Sequence, residues 1–283
     1  MMKKNSIIRY KQSRWGNKIP FKVIAEPLIL FYGMNRYRKT FNISLGETLV
    51  SFFKCVYFLW LSSPFIIPLY VFWPSSLDKF KDKFDSKKLM TFYNSPLYWA
   101  HLIPHEFSIA KQNYVKHILD LIIEFNKSQN KHIIEVGCGV GSYTAHLSKI
   151  GDVTAVDISK PSLRLVRFRI GKQVKTIMSS ANTLPFYLAK FEIAICMDVL
   201  EHLTDPKDAV TTLMSLLNRE NGILIANYDI DTIEKDHIGK LTQEEFEFFL
   251  RRNFCIVSKI KFEIGSLVYV VASKEASYKA PVL

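Results

Sequence analysis

Between residues 133 and 141 an apolar run carrying Glu135 passes straight into Gly137, Gly139 and Gly141, and no other stretch limits the possible folds as strongly. Residues 132–137 are β-branched enough for a buried strand. Glycine at alternate places lets the backbone take φ > 0 and lets a ligand approach main-chain atoms that a Cβ would shield. A second strand-like run, 153–157, closes on the lone acid Asp157. Strand, glycine turn and acid-tipped strand together predict a parallel α/β sheet with a ligand over its strand ends. A dinucleotide fingerprint needs a third glycine where this chain has Ser142. The expected ligand is therefore a nucleoside without a diphosphate, its ribose hydroxyls held by Asp157.

Further along, Asn182, Thr183, Leu184, Pro185 and Phe186 form one segment, residues 191–206 a second, and residues 216–227, with Gly222 before an apolar run, a third. In this order and spacing the chain resembles the class I S-adenosylmethionine-dependent methyltransferases over residues 110–275. The resemblance implies an α/β fold, a doubly wound, mostly parallel seven-stranded sheet ending in an antiparallel hairpin. Strands are expected at 132–137, 152–157, 173–178, 192–198, 222–228, 254–261 and 266–273. Helices are expected at 111–125, 142–150, 161–171, 206–217 and 242–252.

The same resemblance implies roles for particular residues around S-adenosyl-L-methionine. Glu135 and the backbone at Gly137, Gly139 and Gly141 would hold the amino acid end, Asp157 the ribose and Ile158 a face of the adenine. Ser180 and Ala181 stand where the family often has an Asp-Ala pair, so a hydroxyl or main-chain atoms would replace the missing carboxylate. Met197 would lie near the reactive end. His202 is the candidate base, needed only if the acceptor must lose a proton. Asp198, Glu201 and His202 also resemble a cation-binding set in the membrane-associated O-methyltransferases of ubiquinone synthesis. Asp198 is one methylene shorter than the family's glutamate, and a structural or substrate-orienting role is the reading adopted, with no metal assigned. His101 and His105, near Tyr98 and Glu106, would roof the pocket or be ordinary surface histidines. Tyr228 and Asp229 would touch the acceptor or form a polar turn.

Charge divides the 283 residues unevenly. Residues 1–89 hold 16 Lys and Arg against 5 Asp and Glu, whereas residues 90–283 hold 22 against 21. A catalytic half without basic excess argues against a nucleic acid substrate. The cysteines at 55, 138, 196 and 255 show no C-x-x-C or metal spacing and read as reduced thiols. From Cys55 to Trp73 there are 19 uncharged residues, close to the roughly 20 that cross a bilayer core as a helix. Basic residues flank this run on both sides, so a monotopic hairpin breaking at Pro64 and Pro68 fits better than one span; a buried helix of a soluble domain is the alternative. The flanks would bind anionic lipid.

The domain reading is a basic region at 1–48, a membrane hairpin or span at 49–73, a basic amphipathic linker and lid at 74–109, the methyltransferase domain at 110–275 and a tail at 276–283. The expected function is methyl transfer to a lipid-borne or amphipathic acceptor by a membrane-attached enzyme facing the cytoplasm. The alternatives are a protein or soluble metabolite as acceptor, or a membrane adaptor that binds the nucleoside without turnover.

Overall fold

The computed structural model describes residues 34–36, 38–40, 42, 44–62, 93–94, 109–127, 131–186, 190–228, 241–262 and 267–276. Its elements are α1 (Leu45–Ser62), α2 (Ile109–Phe125), β1 (His132–Val136), α3 (Thr144–Leu147), β2 (Asp152–Asp157), α4 (Lys160–Ile170), β3 (Lys175–Met178), β4 (Ile193–Cys196), a 3-10 turn (Leu200–His202), α5 (Pro206–Ser215), β5 (Ile223–Asn227), α6 (Gln243–Asn253), β6 (Cys255–Lys261) and β7 (Leu267–Ala272). The strands form one seven-stranded sheet in the order β3-β2-β1-β4-β5-β7-β6. All pairs from β3 to β5 are parallel, and β7 runs antiparallel to β5 and β6.

Side chains alternate across the central strands, so each face has its own core. Ile133, Val153, Ile193 and Ile223 share one apolar layer with Val115, Ile118 and Ile122 of α2 and with Leu163 and Val166 of α4. Ile134, Val156, Ala194 and Leu224 face the other layer, with Val210 and Leu213 of α5 and Phe246 and Leu250 of α6. Helices on both faces make the sheet doubly wound, as the sequence predicts.

Local chemistry sets the helix starts. Ser159 caps α4 by accepting from the Ser162 amide, Asp205 caps α5 by accepting from Asp208, and Thr242 and Glu245 close a capping box on α6. The expected helix 142–150 shrinks to the four residues of α3, because turns bonded three residues apart, such as His146 to Tyr143 and Lys149 to His146, occupy its ends. β4 stops at Cys196, two residues short of expectation, because Asp198 takes φ 58 and leaves the extended region.

The expected membrane segment is the main departure. Its residues 49–62 belong to α1, which starts at Leu45 because Ser44 and Glu47 cap each other's amides at 2.9 and 3.1 Å. α1 lies against α4: Lys54 Nζ donates to the Arg169 carbonyl at 3.3 Å, and the Tyr57 and Phe168 rings stand 6.1 Å apart. No helix among the described residues is long and apolar enough to cross a membrane. The transmembrane expectation finds no support there, since a lysine within α1 and its contacts with α4 tie it to the sheet's flank. Residues 63–73, nearly all of the linker and lid, including His101 and His105, and Asp229 lie outside the described residues.

Candidate active site

The glycine loop leaves β1 and crosses the C-terminal edge of the sheet between β1 and β2. The amides of Gly137 and Cys138 both donate to the Val156 carbonyl, at 2.8 and 3.1 Å, which pins the turn to the neighbouring strand. Gly137 has φ +76, and a Cβ there would lie 2.1 Å from Val199 Cγ2; Gly139 has φ +52, and a Cβ there would meet nothing within 4 Å. The first glycine is thus required by close packing, while the second opens onto free space above the loop.

Asp157, at the tip of β2, closes the other side of this space. Its Oδ2 accepts from the Gly139 amide at 2.9 Å and its Oδ1 from the Ser159 amide at 2.8 Å. Burial pushes its carboxyl above the ordinary 3.8, opposed by these backbone bonds. Behind the loop, buried Glu135 accepts from Thr144 Oγ1 at 2.6 Å. Ser162 Oγ donates to the Gly139 carbonyl at 2.7 Å, and buried Arg169 donates to the Val140 carbonyl. Side chains of α3 and α4 therefore hold the loop rigid before any ligand arrives.

Ile158 is half-buried beside Asp157. Ser180 is half-buried and its hydroxyl accepts from the Asn182 amide at 3.4 Å, while Ala181 is buried in the second core. Met197 is buried in the first apolar layer at the end of β4. Burial pushes the Cys138 and Cys196 thiols up, which keeps both protonated.

Beyond β4 the structure assembles a network that sequence spacing does not suggest. Asn227, at the end of β5, accepts from the Asp198 amide at 2.6 Å and donates to Asp198 Oδ1 at 2.9 Å. Lys111, from α2, meets Asp198 Oδ2 at 3.1 Å and stands 4.8 Å over the Tyr143 ring. Asp198 and Lys111 are 87 residues apart, and only the fold brings them together. The left-handed backbone at Asp198 breaks the helical register that would align it with Glu201 and His202, and Glu201 is buried. Half-buried His202 ends the 3-10 turn, its ring 6.3 Å from that of Tyr93 in an edge contact. Among the described residues no three His, Cys, Asp or Glu side chains converge on a metal-sized site. Tyr228 is buried, and its hydroxyl donates to the Leu241 carbonyl and accepts from the Leu241 amide, both at 3.2 Å, so it fixes the entry to α6.

Burial raises the Asp198 carboxyl, but Lys111 by charge and hydrogen bond, then Asn227 and His202, more than offset it, and it titrates below the ordinary 3.8. A depressed folded value adds stability above the unfolded value, and that stability is lost as pH falls through the folded one. With Lys111→Met the largest opposing charge is gone and burial acts against fewer partners. The acid-side rise of stability with pH should then flatten or reverse below about pH 5. The effect is small because the Asp198 side chain is 49% exposed and screened by solvent. Urea unfolding between about pH 3 and 6 measures it, and parallel curves for the two proteins would refute the assignment.

Residues 134–226 match the family described as methyltransferase domain. That segment holds Glu135, the three glycines, Asp157 and Asp198, whereas the partners of Asp198, Asn227 and Lys111, lie outside it. Over residues 134–226 the chain carries a methyltransferase domain. A Penicillium expansum O-methyltransferase is 32% identical over 37% of this chain and 41% of its own length. A ubiquinone biosynthesis O-methyltransferase of Hydrogenovibrio crunogenus is 29% identical over 32% of this chain and 40% of its own. The chain thus spans less than half the length of these two relatives. The fold of the methyltransferase domain is also that of magnesium protoporphyrin IX methyltransferase from Synechocystis, solved with bound S-adenosylmethionine. That likeness has a TM-score of 0.54 and 19% identity, covering 67% of this chain and 98% of the other.

Proposed function

We propose that the chain transfers a methyl group from S-adenosylmethionine to an oxygen of a lipid-borne or otherwise amphipathic acceptor, at the cytoplasmic face of a membrane. The observation that carries the reading is the glycine loop: Gly139 opens onto free space with the Asp157 carboxylate on its amide, and the loop carbonyls are held by Ser162 and Arg169. These residues fit the cofactor, because a carboxylate at each strand end can receive an ammonium and a ribose diol. When bound, the cofactor supplies an electrophilic methyl on a sulfonium leaving group, so the protein's share is alignment and exclusion of water. Glu135 and the backbone of Gly137, Gly139 and Gly141 hold the amino acid end. Asp157 holds the ribose, and Ile158, Ser180 and Ala181 border the base.

His202 takes the proton of the acceptor hydroxyl. It follows β4 on a short turn, beside the Asp198–Asn227–Lys111 network that keeps the adjoining strand ends in place. The named O-methyltransferase relatives support oxygen as the acceptor atom. The apolar run 55–73 and the basic excess of residues 1–89 support a membrane-borne one.

Asp157→Ala removes the carboxylate that receives the ribose and also frees the Gly139 and Ser159 amides. Hydrogen bonds to a charged group contribute about 1.5–3 kcal/mol, so cofactor affinity should fall about 10- to 100-fold. Calorimetric titration reads this directly, and unchanged affinity would remove Asp157 from the site. For the acceptor, methyl-labelled S-adenosylmethionine is incubated with the protein and its native membranes, with Asp157→Ala as control. Label in extracted lipid, lost in the variant, supports the proposal. Label in protein or in the aqueous fraction reassigns the acceptor, and tight cofactor binding with no label anywhere favours the adaptor.

A further inference from the structure

We propose that the face formed by α1 and α4 is a docking surface for an anionic lipid bilayer, on which the domain lies without crossing it. On α1, Val50, Phe53 and Tyr57 recur at i, i+3 and i+7 and are 54%, 62% and 50% exposed. That spacing puts them on one stripe of the helix. On α4, Lys160, Arg164 and Arg167 are exposed along one face, and Phe168 is 39% exposed at its edge. The two stripes adjoin, because Tyr57 meets Phe168 at 6.1 Å and Lys54 Nζ stands 5.9 Å from the centre of the Phe168 ring. Exposed Lys172 and Lys175 carry the positive charge on past the end of α4.

Single exposed apolar side chains are ordinary on a protein surface. Here four, three of them aromatic, lie on adjoining helices beside a row of cations. α4 contains no acid, and the sole acid of α1 is Glu47 in its first turn. An aromatic stripe alongside Lys and Arg is the composition of helices that lie in a bilayer interface. The cations match anionic headgroups, and the rings enter the acyl boundary. A nucleic acid would satisfy the cations but would not match the apolar surface exposed on Val50 and Phe53, so the bilayer is the better partner. α4 begins directly after Asp157 and its capping Ser159, so a docked face brings the cofactor cradle close to the lipid. The inference rests on the lipid-facing part of the proposed function and is independent of methyl transfer itself.

The test uses the full chain and vesicles of phosphatidylcholine, alone or mixed with phosphatidylserine. Partitioning should favour the mixed vesicles. In Arg164→Gln/Arg167→Gln it should drop about 25-fold, since each cation near the surface contributes about fivefold. Cofactor affinity, measured separately by calorimetry, should stay unchanged in that variant, so failure of the docking face and failure of the cofactor site read out differently. An environment-sensitive dye on Phe168→Cys should shift to the blue on mixed vesicles, whereas the same dye on Phe248→Cys, exposed on α6, should not. Unchanged partitioning of the double variant, or no preferential shift at position 168, overturns the proposal. Mixed-sequence RNA bound as tightly as the vesicles, with no blue shift at 168, would make the face a nucleic acid surface and also overturn it.

Discussion

His202→Ala should lower kcat by about 10²- to 10⁴-fold, the usual contribution of a positioned acid or base, while cofactor affinity stays within about twofold. The separation follows from position. His202 lies on the 3-10 turn after β4, whereas Glu135, the glycines and Asp157 belong to the β1 and β2 ends. A sulfonium is a good leaving group, so a base matters only because a neutral hydroxyl is a poor nucleophile. An acceptor already ionised in solution would need none. Added imidazole should restore part of the His202→Ala rate if the lost function is proton removal, since a small base can enter the vacated space. A kcat close to that of the unaltered protein, or a loss that imidazole never rescues and that comes with weakened cofactor binding, would reassign His202 to packing against Tyr93.

Gly137→Ala and Gly139→Ala should separate folding from binding although both glycines have positive φ. At Gly137 the new methyl would lie 2.1 Å from Val199 Cγ2. Overpacking of this kind costs about 1–3 kcal/mol, and the left-handed backbone about 1–2 kcal/mol more. The sum, about 2–5 kcal/mol, is a large part of the stability of an ordinary domain. Adding Val199→Ala should recover the packing share but not the backbone share. At Gly139 a Cβ meets no atom within 4 Å, so only the backbone cost of about 1–2 kcal/mol applies. The methyl would project into the space proposed for the ligand, and cofactor binding should be lost. Urea midpoints together with calorimetric affinities decide the matter. Equal destabilisation by the two substitutions, or intact cofactor binding in Gly139→Ala, would contradict the geometry.

Most of the sheet was legible because buried strands carry their signal locally. The runs ending at Val136, Asp157, Cys196 and Asn227 are apolar stretches bounded by turn residues, and all four are strands in the observed order. The glycines were legible for a similar reason, since only glycine tolerates positive φ cheaply, and 137, 139 and 141 all have it. The short α3 was missed because residues 142–150 suit a helix in composition, while the bonds that convert their ends to turns depend on how the loop meets β2.

Sequence alone therefore determined the α/β class, the strand ends that hold Glu135 and Asp157, and the kind of ligand they suit. These follow from residue types within one or two turns of each other. Tertiary structure alone decided which glycine answers to packing and which to open space, because Val199 reaches Gly137 from across the sheet edge. It also decided that Asp198 pairs with Lys111, 87 residues away, and with Asn227. And it laid α1 on α4, turning residues read as a membrane span into one side of an exposed aromatic and basic face. A hydropathy run records how apolar a segment is, but the surface that segment covers is set by the residues it meets when the chain folds.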